Sequence, residues 1–139
     1  MNQYQTITTR YFCNFEVEKG TCVEYVPNTE YEVKPGQNGG KLIGISLNDI
    51  IKIDLYNYRF FQPYSYIDYI KQVGSKIEIL QQGIIMLNFK KKRQINTLLF
   101  YNKKGKLTNK PQLNQKPIGV ILDSDNDGWT KVLFKSRGI

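Results

Sequence analysis

Residues 117–135 read PIGVILDSDNDGWTKVLFK, two apolar runs on either side of an acidic turn. The runs Ile118 to Leu122 and Trp129 to Phe134 are short and rich in β-branched and aromatic residues. Such runs, separated by Asp, Asn and Gly, are typical of a β-hairpin. Both faces of this hairpin carry apolar side chains, so it needs other strands to pack against it. The stretch therefore predicts a larger β-sheet structure.

The composition of the 139 residues also favours strands. Ten Tyr and seven Phe stand against two Met, and there is no long pattern of Ala, Glu and Leu. We therefore expect an all-β fold, a small β-sandwich or barrel with an extended N-terminal arm and hairpin. The longest apolar stretches span about five residues, whereas a membrane helix needs roughly 20. We expect no membrane partner and no export signal.

Along the chain, we predict an N-terminal region, residues 1–40, and a β-domain, residues 41–139. Residues 1–9 are polar and lack periodicity, which favours a flexible or partner-ordered arm. Residues 10–26 predict a hairpin. Residues 27–40 contain enough Pro, Asn and Gly to predict a long loop or linker. Such a loop is expected to cross a surface or to reach a neighbouring molecule.

The two cysteines are too few for a disulfide framework, and the chain has no His to complete a zinc site. In the predicted hairpin Phe15 faces Val23, which places Cys13 and Cys22 on opposite faces. We therefore expect them not to bond to each other. Free thiols are typical of assembly in a reducing cytoplasm.

Short strands separated by turn residues fill the predicted β-domain. Two strand-like halves cover residues 42–47 and 50–55. Clean alternation and the run Gln81–Gly83 then predict a hairpin over residues 72–89, with its turn at that run. A further strand is expected over residues 95–102.

The net charge of +8 is unevenly distributed. Residues 1–70 contain 6 basic and 8 acidic residues, a charge of −2, and residues 71–139 contain 14 and 4, a charge of +10. This asymmetry is compatible with a polyanionic partner, with an acidic protein partner or complementary copies, or with a solubilising surface.

The basic run Lys90, Lys91, Lys92 and Arg93 predicts a loop between two strands. Together with nearby aromatic residues, it could contact phosphates and stack bases. The chain lacks a recognised nucleic-acid motif, however, and a solvated loop explains the same residues. We therefore expect nucleic acid not to be the partner.

The acidic turn resembles part of a calcium loop. Asp123, Asp125, Asp127 and Gly128 match positions 1, 3, 5 and 6 of an EF-hand, but position 12 falls on Phe134 instead of Glu. The other interpretation is a hairpin turn whose side chains bond local backbone amides. We therefore expect no bound metal and no cofactor. If the chain does bind calcium, Asp123, Asp125 and Asp127 are the candidate ligands.

Catalytic chemistry has few candidates in this sequence. There is no His for proton transfer near neutral pH, and Cys13 has no evident base. No phosphate-binding glycine motif occurs. We predict that the chain is not an enzyme.

An aromatic segment interrupts the β-domain, and Pro63 within it argues against a central strand. We interpret it as a loop or edge whose rings cover either the core of this chain or a partner. The residues concerned are Tyr56, Tyr58, Phe60, Phe61, Tyr64 and Tyr66.

Taken in order, four segments resemble a family of small β-rich proteins of bacteriophage heads, the capsid decoration or cement proteins. They are LIGISLNDIIKID (42–54), KQVGSKIEILQQGII (71–85), LLFYNKKGKLT (98–108) and PIGVILDSDNDGWTKVLF (117–134). The resemblance depends on their order and spacing, and the aromatic segment and the basic loop lie outside it.

This resemblance implies a virion protein without catalysis, assembled in the host cytoplasm, on the outer surface of the capsid. Its partners would be the major capsid protein and neighbouring copies, in a trimer if it follows the common arrangement. The aromatic residues and Lys90–Arg93 are then the expected contacts. The alternatives are another virion component, from the tail, neck or head fibre, and a small basic nucleic-acid-binding β-barrel.

Overall fold

The structure is a computed structural model that describes residues 5–52 and 70–139. Every regular element in these residues is a strand, so the fold is all-β, as predicted. The strands are β1 (Thr6–Thr8), β2 (Phe12–Cys13), β3 (Cys22–Tyr25), β4 (Glu32–Pro35), β5 (Leu42–Ser46), β6 (Asp49–Ile51), β7 (Ile70–Gln72), β8 (Ile79–Asn88), β9 (Leu98–Tyr101), β10 (Leu107–Thr108), β11 (Gly119–Ser124) and β12 (Trp129–Lys135).

Ten of these strands form one mixed sheet, and β6 and β7 form a separate parallel pair. The order in the large sheet is β10-β9-β11-β12-β8-β5-β3-β4-β2, with β1 added beside β8. All pairs in it are antiparallel except β2 with β4. Strand β8 is central, because it pairs with β12, β5 and β1.

The terminal hairpin is confirmed. β11 and β12 pair antiparallel, from Gly119 opposite Phe134 to Ser124 opposite Thr130. The register shifts between Ile121 and Asp123, so that Leu122 is the extra residue of a β-bulge. The hairpin also needs other strands, as predicted, since β12 pairs with β8 along its whole length.

The hairpin predicted over residues 72–89 is wrong. Gln81, Gln82 and Gly83 lie inside the continuous strand β8 and not in a turn. Gly83 lies opposite the buried Phe134, and a Cβ at this position would be 3.2 Å from Gln5 Cγ. The glycine therefore permits close packing of β1 against β8 and does not reverse the chain.

The hairpin predicted over residues 10–26 is also wrong. β2 pairs parallel with β4, and β3 pairs antiparallel with β4 and β5. Strand β4 lies within residues 27–40, where a loop or linker was expected, and its Val33 is fully buried. Turn residues are common in this segment, but burial of Val33 and two strand partners outweigh them. The described part of the predicted N-terminal arm, residues 5–9, differs too, because β1 pairs with β8 of the same chain.

Two clusters of buried side chains stabilise the fold. The first fills the inner side of β8, β9, β11 and β12 and consists of Cys22, Ile45, Leu80, Ile85, Leu99, Tyr101, Ile118, Ile121, Val132 and Phe134. The second packs against β3, β4 and β5 and consists of Cys13, Val17, Val23, Val33, Ile43, Ile50, Ile77 and Ile79. The two cysteines are unbonded, as predicted, and each belongs to a different cluster.

The sheet curls so that its two halves meet. The turn between β9 and β10 reaches β3, where Cys22 N donates to Gly105 O at 2.7 Å. Gly36 N donates to Cys22 O at 2.8 Å in the same place. Tyr101 of β9 and the buried Glu24 of β3 are hydrogen bonded nearby. These contacts close the sheet over the first cluster.

No helix within residues 5–52 and 70–139 has the length and apolar character needed to cross a membrane.

Candidate interaction surface

Apolar side chains cover the side of β8, β9, β11 and β12 that faces away from the first core cluster. We call this surface the outer face. It consists of Ile84, Met86, Leu98, Val120, Leu122, Trp129 and Leu133. Five of these residues are exposed. The exposed fraction of the side chain is 36% for Leu122 and between 42% and 49% for Ile84, Leu98, Met86 and Trp129. Val120 and Leu133 are half-buried.

Four of these side chains form a row across four strands. Ile84 lies opposite Leu133, Leu133 opposite Val120, and Val120 opposite Leu98. Side chains directly opposite in antiparallel strands have Cβ atoms about 4.5–5.5 Å apart, so neighbours in this row touch. The row is therefore continuous.

An apolar outer face is unusual for an antiparallel sheet in water. Such sheets commonly pack one face on the core and expose a polar face to solvent. Here the inner residues Ile85, Val132 and Ile121 are buried. Of the residues next to them along the strands, Lys131 is charged and the others are apolar. An exposed apolar surface of this kind is typical of a protein interface.

The structure brings the basic loop and the acidic turn together at one end of the outer face. Phe89 N donates to Gly128 O at 3.0 Å, and Arg93 N donates to Ser124 Oγ at 2.8 Å. Gly128 has a φ of 93°, and a Cβ there would lie 2.6 Å from Lys90 N. Only glycine suits both the conformation and the contact. Lys90, Lys91 and Lys92 are exposed beside Asp123, Asp125 and Asp127, which are also exposed.

The acidic turn uses its carboxylates to bind backbone amides. Asp125 Oδ1 accepts hydrogen bonds from Asp127 N at 2.9 Å and from Trp129 N at 3.0 Å. Asp123 Oδ1 accepts from Ser124 N at 2.9 Å. Of the two interpretations of the acidic turn, a calcium loop and a hairpin turn stabilised by its own side chains, these hydrogen bonds match the hairpin turn. In the residues described, no three His, Cys, Asp or Glu side chains are placed to hold a metal.

Arg93 differs from the three lysines, because it is half-buried. Its guanidinium carbon lies 4.9 Å from the centroid of the Phe89 ring. Arg93 and Phe89 also line a cavity of about 90 Å³ at the edge of the first core cluster. Arg93 Nε is the one buried side-chain polar atom in the described residues that lacks a hydrogen-bond partner.

A cleft of about 520 Å³ is lined by three carboxylates that could be considered for catalysis. Each already has a partner. Asp49 Oδ1 accepts from Lys19 N at 2.6 Å, Glu16 Oε1 accepts from Lys52 N at 2.9 Å, and Glu18 pairs with Lys106 at 3.2 Å. The contacts of Asp49 and Glu16 hold loops in place.

The remaining predicted contacts, Tyr56, Tyr58, Phe60, Phe61, Tyr64 and Tyr66, lie outside the described residues. Sequence reasoning missed the outer face as a surface. The signal was present in the terminal hairpin, whose two faces are both apolar, and in the run Ile84 to Leu87. Without the strand order, these residues could not be assigned to one face.

No model of a known protein family matches the sequence, and a comparison with curated proteins gives no significant match.

Proposed function

We propose that this chain is a bacteriophage structural protein, a capsid decoration or cement protein. It binds the outer surface of the major capsid protein lattice and stabilises the head. It works by binding alone, without catalysis or a cofactor, and its location is the virion surface after assembly in the host cytoplasm. The order of the four segments that resemble such proteins motivates the family.

The outer face is the observation that carries the binding part of the proposal. Its row of apolar side chains runs across four paired strands, and the buried residues beneath it fix their positions. A rigid apolar surface loses little conformational entropy on binding. Its partner should be an apolar patch of the capsid subunit, with which it can exclude water.

The charged residues around the outer face indicate which residues should surround the apolar patch of the partner. Lys131 lies exposed within it, and Lys90, Lys91 and Lys92 are exposed at its end. An acidic rim on the capsid subunit complements these lysines and accelerates association. Binding should therefore weaken as salt increases, although the apolar contact persists.

Many copies on one shell make weak contacts effective. A copy that contacts two neighbouring capsid subunits holds them together, and many such copies act at once. The shell therefore resists expansion even if each single contact is weak. A trimer, as is common for such proteins on lattice axes, adds to this effect. The second half of the chain, with its charge of +10, does not by itself require nucleic acid, since an acidic protein surface serves equally.

The test uses heads assembled from the major capsid protein encoded in the same genome. Wild-type protein should co-sediment with these heads and raise their melting temperature. The double variant Ile84→Thr, Leu133→Thr should bind at least about tenfold more weakly, because it removes the centre of the apolar row. Leu113→Thr is the matched control, since Leu113 is 85% exposed and lies outside the outer face.

Two results would contradict the proposal. One is the absence of the protein from heads at any salt concentration. The other is tight binding to duplex or single-stranded nucleic acid with a steep dependence on salt, which would support the nucleic-acid-binding alternative. If heads bind both variants equally, the capsid contact lies elsewhere than on the outer face.

A further inference from the structure

The loop between β4 and β5 contains the only Asn-Gly pair of the sequence, Asn38–Gly39. Asparagine is one of the chemically labile residues of proteins. It reacts most readily before glycine, because glycine has no side chain to hinder the approach of its backbone nitrogen to the asparagine amide carbon. The pair therefore has the composition of a deamidation site.

The structure leaves this pair room to react. Neither residue lies in a strand, since β4 ends at Pro35 and β5 begins at Leu42. Gly39 is exposed, and a Cβ built on it would have no atom of the described residues within 4 Å. Asn38 has a φ of 64°, a left-handed conformation that asparagine adopts in irregular turns. The backbone at Gly39 can therefore rotate without disturbing the two strands.

Two hydrogen bonds orient Asn38. Its backbone N–H donates to Glu24 Oε2 at 3.1 Å, and its side-chain Oδ1 accepts from Gln115 Nε2. When a nitrogen attacks the amide carbon Cγ, negative charge develops on Oδ1. A hydrogen-bond donor that already points at this oxygen stabilises the charge and so favours the attack. Gln115 is therefore a positioning residue for a reaction of the Asn38 amide.

We infer that Asn38 is a self-modification site, at which the chain deamidates without an enzyme or a cofactor. The Gly39 nitrogen attacks Asn38 Cγ and forms a new C–N bond. The bond between Cγ and Nδ2 breaks, and the leaving nitrogen takes up the proton of the Gly39 amide, so that ammonia departs and a succinimide ring remains. Water then adds to either ring carbonyl carbon and opens the ring to aspartate or isoaspartate. Neither step involves oxidation or reduction.

The pair Asp127–Gly128 provides an internal reference. An Asp-Gly pair can form the same ring, with loss of water instead of ammonia. Here, however, Gly128 N donates to Asp125 O at 3.2 Å, and Asp127 N donates to Asp125 Oδ1 at 2.9 Å. A Cβ on Gly128 would also lie 2.6 Å from Lys90 N. The Gly128 N–H is thus committed to a hydrogen bond in a crowded turn, so this pair should not react.

The reaction changes a contact that closes the sheet. Glu24 is 1% exposed, and both Tyr101 and Asn38 donate to its Oε2. An aspartate at position 38 places a second negative charge beside this carboxylate, which is unfavourable. Isoaspartate lengthens the main chain and so displaces the N–H that binds Glu24. Modified chains should therefore be less stable, and this inference goes beyond the proposed function and does not depend on it.

The experiment incubates the native full chain at mildly alkaline pH and follows both pairs by peptide mass spectrometry. Exchange of the amide NH2 for OH increases the mass, and isoaspartyl methyltransferase detects isoaspartate. We expect modification of Asn38 over days and none of Asp127. Gly39→Ala should slow the reaction at least about tenfold, because its Cβ hinders the attack. This variant should fold normally, since that Cβ has free space.

The role of Gln115 is tested with Gln115→Met. Gln112→Met is the matched control, since Gln112 Nε2 donates to Lys110 O and not to Asn38. We expect Gln115→Met to deamidate at least about threefold more slowly than wild type, and Gln112→Met to keep the wild-type rate. Faster deamidation of Gln115→Met would show that Gln115 restrains Asn38 instead of activating it. If Gln115→Met does not fold, the comparison of wild type with Gly39→Ala still decides whether Asn38 is the site.

Two results would overturn the inference. One is an unmodified Asn38 in the native chain under conditions in which the urea-denatured chain deamidates, since the fold would then protect the pair. The other is an equal rate in wild type and Gly39→Ala.

The effect on stability is tested separately with Asn38→Asp, whose urea midpoint should lie below that of wild type. Asn126→Asp is the matched control, because it adds the same charge at an exposed position away from Glu24. Equal midpoints of the two variants would contradict the link between the modification and Glu24.

Discussion

Tyr101 Oη donates a 2.7 Å hydrogen bond to Glu24 Oε2, and this bond joins strands β9 and β3, which are not neighbours in the sheet. Glu24 is 1% exposed, and its second donor to the same oxygen is Asn38 N at 3.1 Å. A buried carboxylate without donors is costly. The Tyr101 hydroxyl therefore offsets part of the cost of burying the Glu24 carboxylate where the curled sheet closes.

Tyr101→Phe should lower the free energy of unfolding by about 1.5–3 kcal/mol, the usual range for a hydrogen bond to a charged group. Urea denaturation followed by circular dichroism measures this change. Tyr25→Phe is the control, since Tyr25 donates to the neutral carbonyl oxygen of Thr29 and should cost less. An equal decrease in the free energy of unfolding of both variants would mean that the hydrogen bond from Tyr101 does not specifically stabilise the buried Glu24.

Stability should fall at alkaline pH. Burial, and then the hydrogen bond to Glu24, raise the pKa of Tyr101 above its ordinary value of 10.0. From about pH 10 the unfolded chain loses this proton while the folded chain keeps it, so the free energy of unfolding decreases by up to about 1.4 kcal/mol per pH unit. Below pH 10 this contribution is fully present. Thermal melts from pH 8 to 11 should therefore show a steeper decline for wild type than for Tyr101→Phe.

Gly44→Ala should destabilise the fold strongly. A Cβ at this position would lie 2.2 Å from Leu80 O and 2.7 Å from Ile79 Cγ2, where β5 meets β8. The backbone would have to shift, at a cost of about 1–3 kcal/mol or more. Gly39→Ala is the matched control, because a Cβ there meets nothing within 4 Å. Chemical denaturation of the two variants compares them, and similar midpoints would contradict the close approach of β5 and β8.

Two aromatic residues of β12 should behave oppositely. Phe134 is fully buried in the first cluster, so Phe134→Ala should cost about 3–5 kcal/mol of stability. Trp129 is 49% exposed on the outer face, so Trp129→Ala should cost much less but should weaken binding to a partner of that face. Denaturation and co-sedimentation with heads measure the two effects. A large loss of stability in Trp129→Ala would show that this ring belongs to the core.

Both thiols should be unreactive in the native protein. Burial raises the pKa of Cys13 and of Cys22, so little thiolate is present at neutral pH. A thiol reagent should label neither cysteine rapidly in buffer and both in denaturant. Rapid labelling of the native chain would contradict the burial of the cysteines. Formation of a Cys13–Cys22 disulfide in the absence of a reductant would contradict their location in separate clusters.

Local features of the sequence predicted several parts of the structure. The terminal hairpin follows from the turn residues between Leu122 and Trp129, and Asp125 bonds the amides of that turn. The unbonded cysteines and the loop at Lys90–Arg93 were also predicted. The two errors have different causes. The run Gln81–Gly83 lies inside the paired strand β8, whereas in residues 27–40 the short strand β4 lies between turn-forming residues.

The sequence alone determined that this chain is all-β, that its last two strands form the β11–β12 hairpin, and that the basic run Lys90–Arg93 lies in a loop separate from the acidic hairpin turn. These properties depend on side-chain preferences and on alternation within a few residues. Only the tertiary structure decided that β8 pairs with β12, that the outer face is continuous, and that the loop at Lys90–Arg93 meets the turn at Asp123–Gly128. Strand pairing over long separations is chosen by burial and register in the whole sheet, which no short stretch of sequence contains.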